Sequence, residues 1–153
     1  MTQTPSISGY AQMNESPGAD KRSRILLADD EPMLRELGSR SLREGGYDVT
    51  LADDGWSAWR EAQNSAFDLI ITDHLMPHMT GAELIKRVRR VFPSLPIIMI
   101  TGYFAEPDTP VGIPEDVTMI YKPFSGEALL AEVSRLLSMN GSSPAGDGDG
   151  DGS

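Results

Sequence analysis

Apolar residues in this chain fall into short continuous runs, separated by stretches in which they recur every three or four positions. Ile25-Leu26-Leu27-Ala28 is the first run, and a block of that length bounded by turn residues marks a strand covered on both faces. Asp29-Asp30-Glu31 ends it. Pro32 then suits the first turn of a helix, where its missing amide hydrogen costs nothing. Leu34, Leu37 and Leu42 give that helix an inward stripe, and Gly45-Gly46 stops it. Residues 47–52 alternate as a second strand, and Asp53-Asp54-Gly55 turns into a helix on which Trp56, Ala58, Trp59 and Ala62 are packing positions. Leu69-Ile70-Ile71 delivers Asp73 to the end of a third strand, where Met76-Pro77 turns the chain. Thr80 caps a helix with Leu84, Ile85, Val88 and Val91 on its apolar side. Pro96-Ile97-Ile98-Met99-Ile100 is a fourth buried strand ending in Thr101-Gly102, and residues 117–121 a fifth, ending in Lys122-Pro123-Phe124. Ser125 caps a last helix with Leu129, Leu130, Val133, Leu136 and Leu137 facing inward.

Five short strands interleaved with helices predict a five-stranded parallel sheet covered on both faces, an α/β doubly wound domain. One unit breaks the pattern. Pro107, Pro110 and Pro114 fall where a fourth helix belongs, and prolines at that spacing remove amide donors and clash with preceding carbonyls. The fourth helix is therefore expected to be short or absent. The folded domain is expected over residues 24–139, with a disordered leader over 1–23 and a disordered Gly/Asp-rich tail over 140–153. The alternation of Asp147-Gly148-Asp149-Gly150 looks like the opening of a calcium loop but has no closing glutamate, so a solvated acidic tail is the expectation.

Composition narrows the function classes. The net charge of −10 over 153 residues opposes direct nucleic-acid binding, which needs a basic face. With no cysteine there is no disulfide, thiolate metal site or cysteine nucleophile. The opening residues lack the pattern of a signal peptide, and no apolar run approaches the ~20 residues of a membrane span. A cytoplasmic protein with no membrane partner is expected.

The chemistry gathers at the carboxyl ends of the strands, the rim where ligands bind in open α/β sheets. Asp29, Asp30 and Asp73 would repel one another there without a cation, and clustered oxygens suit Mg2+. Thr101 offers a hydroxyl and Lys122 an ammonium to a phosphoryl group, and a carboxylate beside magnesium is the arrangement for an aspartyl phosphate.

Asp29-Asp30-Glu31-Pro32, Asp73-His74-Leu75-Met76-Pro77 with Gly81, Thr101-Gly102 and Lys122-Pro123-Phe124 together resemble the receiver domain of a two-component response regulator, over residues 24–139. The resemblance implies a flavodoxin-like fold. It implies that Asp73 accepts phosphate from a histidine kinase or histidine phosphotransfer protein, and that the phosphorylated form switches binding of a downstream protein. It implies that Asp30, Asp73 and the Leu75 backbone carbonyl bind Mg2+, that Asp29 acts through water, and that Lys122-Pro123 is cis. Thr101 would contact the phosphoryl group and Lys122 would bridge to it. Beyond this self-catalysed transfer and a slow autodephosphorylation, for which bulky Leu75 and Tyr103 are the reason, no enzymatic activity is implied.

The sequence departs from that family at Met119, where receivers carry an aromatic residue, and Tyr121 is read as out of phase to replace it. With the prolines after Thr101, this points to residues 102–116 as a loop that orders on phosphorylation. Two other readings stay open: a docking module of receiver shape that takes no phosphate, and a phosphohydrolase of haloacid-dehalogenase type. The second wants an acid two residues after the nucleophile, where this chain has Leu75. His74 and His78 are read as exposed turn residues, and Lys86, Arg87, Arg89 and Arg90 as a solvated basic run that could also dock an acidic partner.

Overall fold

A computed structural model of the chain describes residues 22–102 and 112–140. Within them strands and helices alternate: β1 (Arg24–Ala28), α1 (Pro32–Glu44), β2 (Asp48–Ala52), α2 (Gly55–Asn64), β3 (Leu69–Asp73), α3 (Gly81–Val91), β4 (Ile97–Thr101), β5 (Thr118–Tyr121) and α4 (Gly126–Asn140). All five strands pair in parallel, in the order β2-β1-β3-β4-β5. That is the doubly wound sheet expected from the strand-helix alternation. Between β4 and β5 no helix occurs among the described residues. Residues 103–111, which hold Tyr103 and most of the proline-broken stretch, lie outside them, as do nearly all of the expected leader and the tail after Asn140.

Alternation along the strands divides the core into two layers. Leu26, Ala28, Ile70, Ile97 and Met99 face α2 and α3, where they meet Ala58, Ala62, Leu84, Ile85 and Val88. Ile25, Leu27, Leu69, Ile71, Ile98 and Ile100 face the other way, onto Leu42, Leu129 and Val133 of α1 and α4. Each Leu, Ile, Val or Met among them contributes roughly 1.5–3 kcal/mol by leaving water. β3 and β4 are buried along their whole length, as their continuous apolar runs require.

The helix ends carry their sequence signals. Asp54 accepts a hydrogen bond from the Ser57 amide at 2.7 Å, and the Ser125 hydroxyl oxygen one from the Ala128 amide at 3.0 Å. Thr80 and Glu83 form a reciprocal capping box. Pro32 stands in the first turn of α1, and Gly46, at φ 96°, takes the left-handed turn that follows its end.

Several expectations need correction. Leu37 is 38% exposed, because α1 meets the sheet through Gly38, where a Cβ would come within 3.0 Å of Leu27; the neighbouring position is rotated away. Trp56 is 50% exposed and lies under the Arg87 guanidinium instead of in the core. Val91, at the end of α3, is also exposed. Tyr121 is not out of phase with Met119: residues two apart on a strand share a face. Met119 packs on the α2/α3 layer, and Tyr121 emerges into solvent where that layer ends. His74 is half-buried because the ladder continues past β3, its amide donating to the Ile100 carbonyl at 2.9 Å. His78 is exposed as expected, at φ 73°.

Two glycines set how the elements close on one another. A Cβ on Gly55 would lie 2.3 Å from the Met79 carbonyl oxygen, and one on Gly81 would lie 2.3 Å from that of Asp73. The Gly81 amide also donates to the His74 carbonyl at 2.8 Å, so the loop leaving β3 folds tightly back on the strand end. Gly81→Ala must push backbone from backbone. We expect it to lower the free energy of unfolding by about 1–3 kcal/mol, measured by chemical denaturation.

Candidate functional site

Parallel register brings the site together. Ala28 is level with Thr72, and Asp73 with Ile100, so Asp29 and Asp73 emerge side by side from β1 and β3. The order of the sheet reverses there, since β2 lies outside β1 on one side and β3 to β5 follow on the other. Backbone hydrogen bonds extend the ladder one residue further: the Asp29 amide donates to the Ala52 carbonyl, His74 to Ile100 and Lys122 to Thr101. Those bonds fix the direction in which each of the following side chains leaves the sheet. The Lys122-Pro123 bond is cis.

The carboxylates of Asp29, Asp30 and Asp73 each place an oxygen within 4.8 Å of the others. Asp29 is only 2% exposed and Asp73 5%, while Asp30 lies at the surface. The Lys122 ammonium stands 3.1 Å from Asp73 Oδ1 and 3.3 Å from Glu31 Oε1. Asp73, Thr101 and Lys122 line an open cleft of about 250 Å³ with His74, Leu75 and Gly102. Thr101 is 1% exposed, and Leu75 is 52% exposed. Every side chain proposed from sequence for this chemistry therefore meets at one end of the sheet.

Glu31 is the residue that sequence reading passed over. It stands at the N-cap of α1 without a side-chain cap bond, and its carboxylate reaches Lys122 instead. Its place in the acidic triplet was visible, but not which of three adjacent acids would turn toward a lysine ninety-one residues away. Arg35 adds a support from α1, donating to the Asp29 carbonyl at 2.8 Å.

Burial and like charge act on the acids together. Asp29 is pushed up to about 6, mainly by desolvation and further by the Asp73 charge; the hydrogen bond from the Glu31 amide opposes this. Asp73 is also raised, burial outweighing the hydrogen bond and charge of Lys122. Burial pulls the Lys122 ammonium down, but its hydrogen bond and attraction to Asp73 win and hold it above the ordinary lysine value. The cluster carries more negative charge than one lysine balances. Its donors are all oxygens, one of them at the surface, which fits a hard cation such as Mg2+ that keeps several waters.

A family model described as the response regulator receiver domain matches residues 25–134. The chain belongs to this family. Among curated relatives, it is 38% identical over 117 residues to the response regulator receiver protein CpdR of Brucella abortus, covering 74% of this chain and 96% of that protein. It is 33% identical to the probable transcriptional regulatory protein TcrX of Mycobacterium tuberculosis, over 76% of this chain but 50% of TcrX. The chain thus spans about half the length of the transcriptional regulators it matches. Among solved structures, the chemotaxis response regulator CheY4 of Vibrio cholerae aligns with a TM-score of 0.71 at 35% identity, covering 76% of this chain and 100% of that one. The receiver domain of the hybrid histidine kinase CckA aligns at 0.64 and 33%, with the same coverage.

The family's function is phosphorylation on an aspartate within two-component signalling. Its receiver domains are generally signalling modules and not enzymes, interact with histidine kinases and downstream effectors, and typically bind Mg2+ at an acidic pocket. No helix among the described residues is long and apolar enough to cross a membrane.

The raised Asp29 gives a signed pH dependence. The folded state keeps that proton up to about pH 6, whereas the unfolded chain releases it near 3.8. The native state binds more protons in between, so stability falls as pH rises through this window and levels off above it. In magnesium-free buffer Asp29→Asn is expected to flatten the fall and to gain roughly 2 kcal/mol over the parent at pH 7, read from urea midpoints at pH 4.5 and 7. Equal slopes in the two proteins would contradict the burial account.

Proposed function

We propose that Asp73 is the phospho-acceptor of this receiver domain and that its phosphorylation switches the binding of a downstream protein. The observation that carries the reading is the Asp73 carboxylate itself. It is buried, raised in pKa, 3.1 Å from Lys122, and set in a cleft shared with Thr101. The donor is a phosphohistidine on a histidine kinase or histidine phosphotransfer protein, and the proposed reaction is a cytoplasmic one. A carboxylate oxygen of Asp73 attacks phosphorus, the phosphorus–nitrogen bond breaks, and the departing imidazole nitrogen keeps the electron pair and takes a proton from solvent.

Asp30 and Asp73, with the Leu75 backbone carbonyl, would hold Mg2+, and Asp29 would act through water. When bound, the ion supplies the charge neutralisation that the three acids lack. The residues of the chain do the rest. Lys122 orients the Asp73 carboxylate and then pairs with a phosphoryl oxygen, and Thr101 donates to another. Glu31 keeps a second seat for the ammonium as the charge on Asp73 changes. Leu75 replaces the acid that a phosphohydrolase of haloacid-dehalogenase type needs two residues after its nucleophile. Position 75 therefore supplies no base to hydrolyse the product, which favours a long-lived switch over turnover.

Incubation of the chain with acetyl phosphate and Mg2+, read by intact mass, is expected to add one phosphoryl group. Asp73→Asn should add none, and Lys122→Ala should slow the addition by at least tenfold. Rapid turnover of small phosphoesters would favour the hydrolase, and an unchanged mass the docking module. The same phosphorylated sample gives a second expectation. Leu75→Asn, which replaces a bulky shield with an amide able to hold a water, shortens the half-life of the phosphorylated form several-fold in Mg2+ buffer; a half-life unchanged or longer would show that Leu75 does not shield it.

A further inference from the structure

The basic run on α3 divides in two when the chain folds. Arg89 turns inward, donating to the Leu95 carbonyl and pairing with Asp116 at 2.9 Å. Lys86, Arg87 and Arg90 stay exposed. They line a cavity of about 350 Å³ between α2 and α3, together with Trp56, His78 and Met79. The Arg87 guanidinium carbon sits 5.6 Å from the centre of the Trp56 ring. A half-exposed tryptophan that contacts one cation and shares a recess with two more is unusual on a chain whose net charge is −10. It offers apolar area and positive charge in one recess, the pairing found at the energetic centres of protein interfaces.

The fixed charges in the recess select the shape of the occupant. Lys86 and Arg90 are four residues apart and Arg87 and Arg90 three, so their side chains neighbour one another along the helix. Glu83 lines the same cavity one turn earlier, and its carboxylate is held there by the hydrogen bond from the Thr80 amide at 2.9 Å. It cannot withdraw without breaking the cap of α3. A compact polyanion, such as a nucleotide phosphate chain, would meet that carboxylate at close range. An extended acidic segment avoids it by placing a neutral side chain there and its carboxylates further along the helix. His78 adds no free charge at this edge, since its ring is already 2.9 Å from Asp54.

We propose that the recess between α2 and α3 docks an acidic protein segment. An apolar or aromatic side chain of that segment packs on Trp56 and Met79, and two or more carboxylates beyond it pair with Lys86, Arg87 and Arg90. The surface lies on the α2/α3 side and shares no lining residue with the Asp73 cleft. The inference therefore stands or falls separately from the role given to Asp73.

The full chain, labelled with nitrogen-15, is titrated with a synthetic peptide of alternating glutamate and serine around one central leucine. The expected result is saturable shifts at the Trp56 indole and the amides of residues 83–90, weakened by 0.5 M salt. Affinity should fall at least tenfold in Arg87→Ala/Arg90→Ala and in Lys86→Glu, whose exposed positions leave the fold unchanged by circular dichroism, and should persist in Asp73→Asn. No shifts, shifts centred elsewhere, or full affinity in either basic variant would overturn the proposal. So would equal binding by the same peptide with serine for leucine, or tighter competition by inorganic phosphate or ATP than by the peptide, which would mark a small-anion site.

Discussion

Three carboxylates that would stay apart in water are held together at the end of a parallel sheet, two of them nearly out of solvent. The rest of this molecule is arranged around that repulsion. Strand register decides that Asp29 and Asp73 are neighbours, and a single lysine from the end of β5 answers them from the other side. The fold opposes the charges with the burial energy of two apolar layers, so the site is strained electrostatically while its backbone is well bonded. An excess of negative charge of this kind favours a cation at this place.

The supports of the site are backbone contacts more than side-chain contacts. Gly81 brings the start of α3 against the Asp73 carbonyl, and Gly55 brings the start of α2 against Met79 of the same loop. The Asp54–His78 pair ties those two helix starts together from outside. The loop that leaves β3 is therefore gripped at both helices that cover it. Neither grip tolerates a side chain at its glycine, which is why small residues stand beside the chemistry while the large aliphatic ones lie in the layers beneath.

The architecture was legible because two periods, continuous runs and three-to-four spacing, rarely coincide by accident over five strands. That Asp29, Asp30, Asp73, Thr101 and Lys122 share one end of the sheet was legible for a related reason: strand ends converge on one rim whatever the loops do. Side-chain direction was less so. Leu37 and Trp56 both fit an apolar stripe, yet the first is displaced by the close approach at Gly38 and the second is drawn out under Arg87. Arg89 read as one more surface cation until the Leu95 carbonyl, just past the end of α3, and Asp116, distant in sequence, supplied its partners. Glu31 was hidden the same way, since the lysine it meets lies almost at the other end of the domain. What sequence could not supply in each case was a long-range partner.

Arg89 also has a mechanical meaning. Leu95 and Asp116 immediately precede the regions of β4 and β5, so one guanidinium ties the amino ends of these two neighbouring strands to the end of α3. Their carboxyl ends carry Thr101 and Lys122. The strands that carry these two cleft residues therefore share one anchor at the edge remote from the cleft, a single side chain of α3.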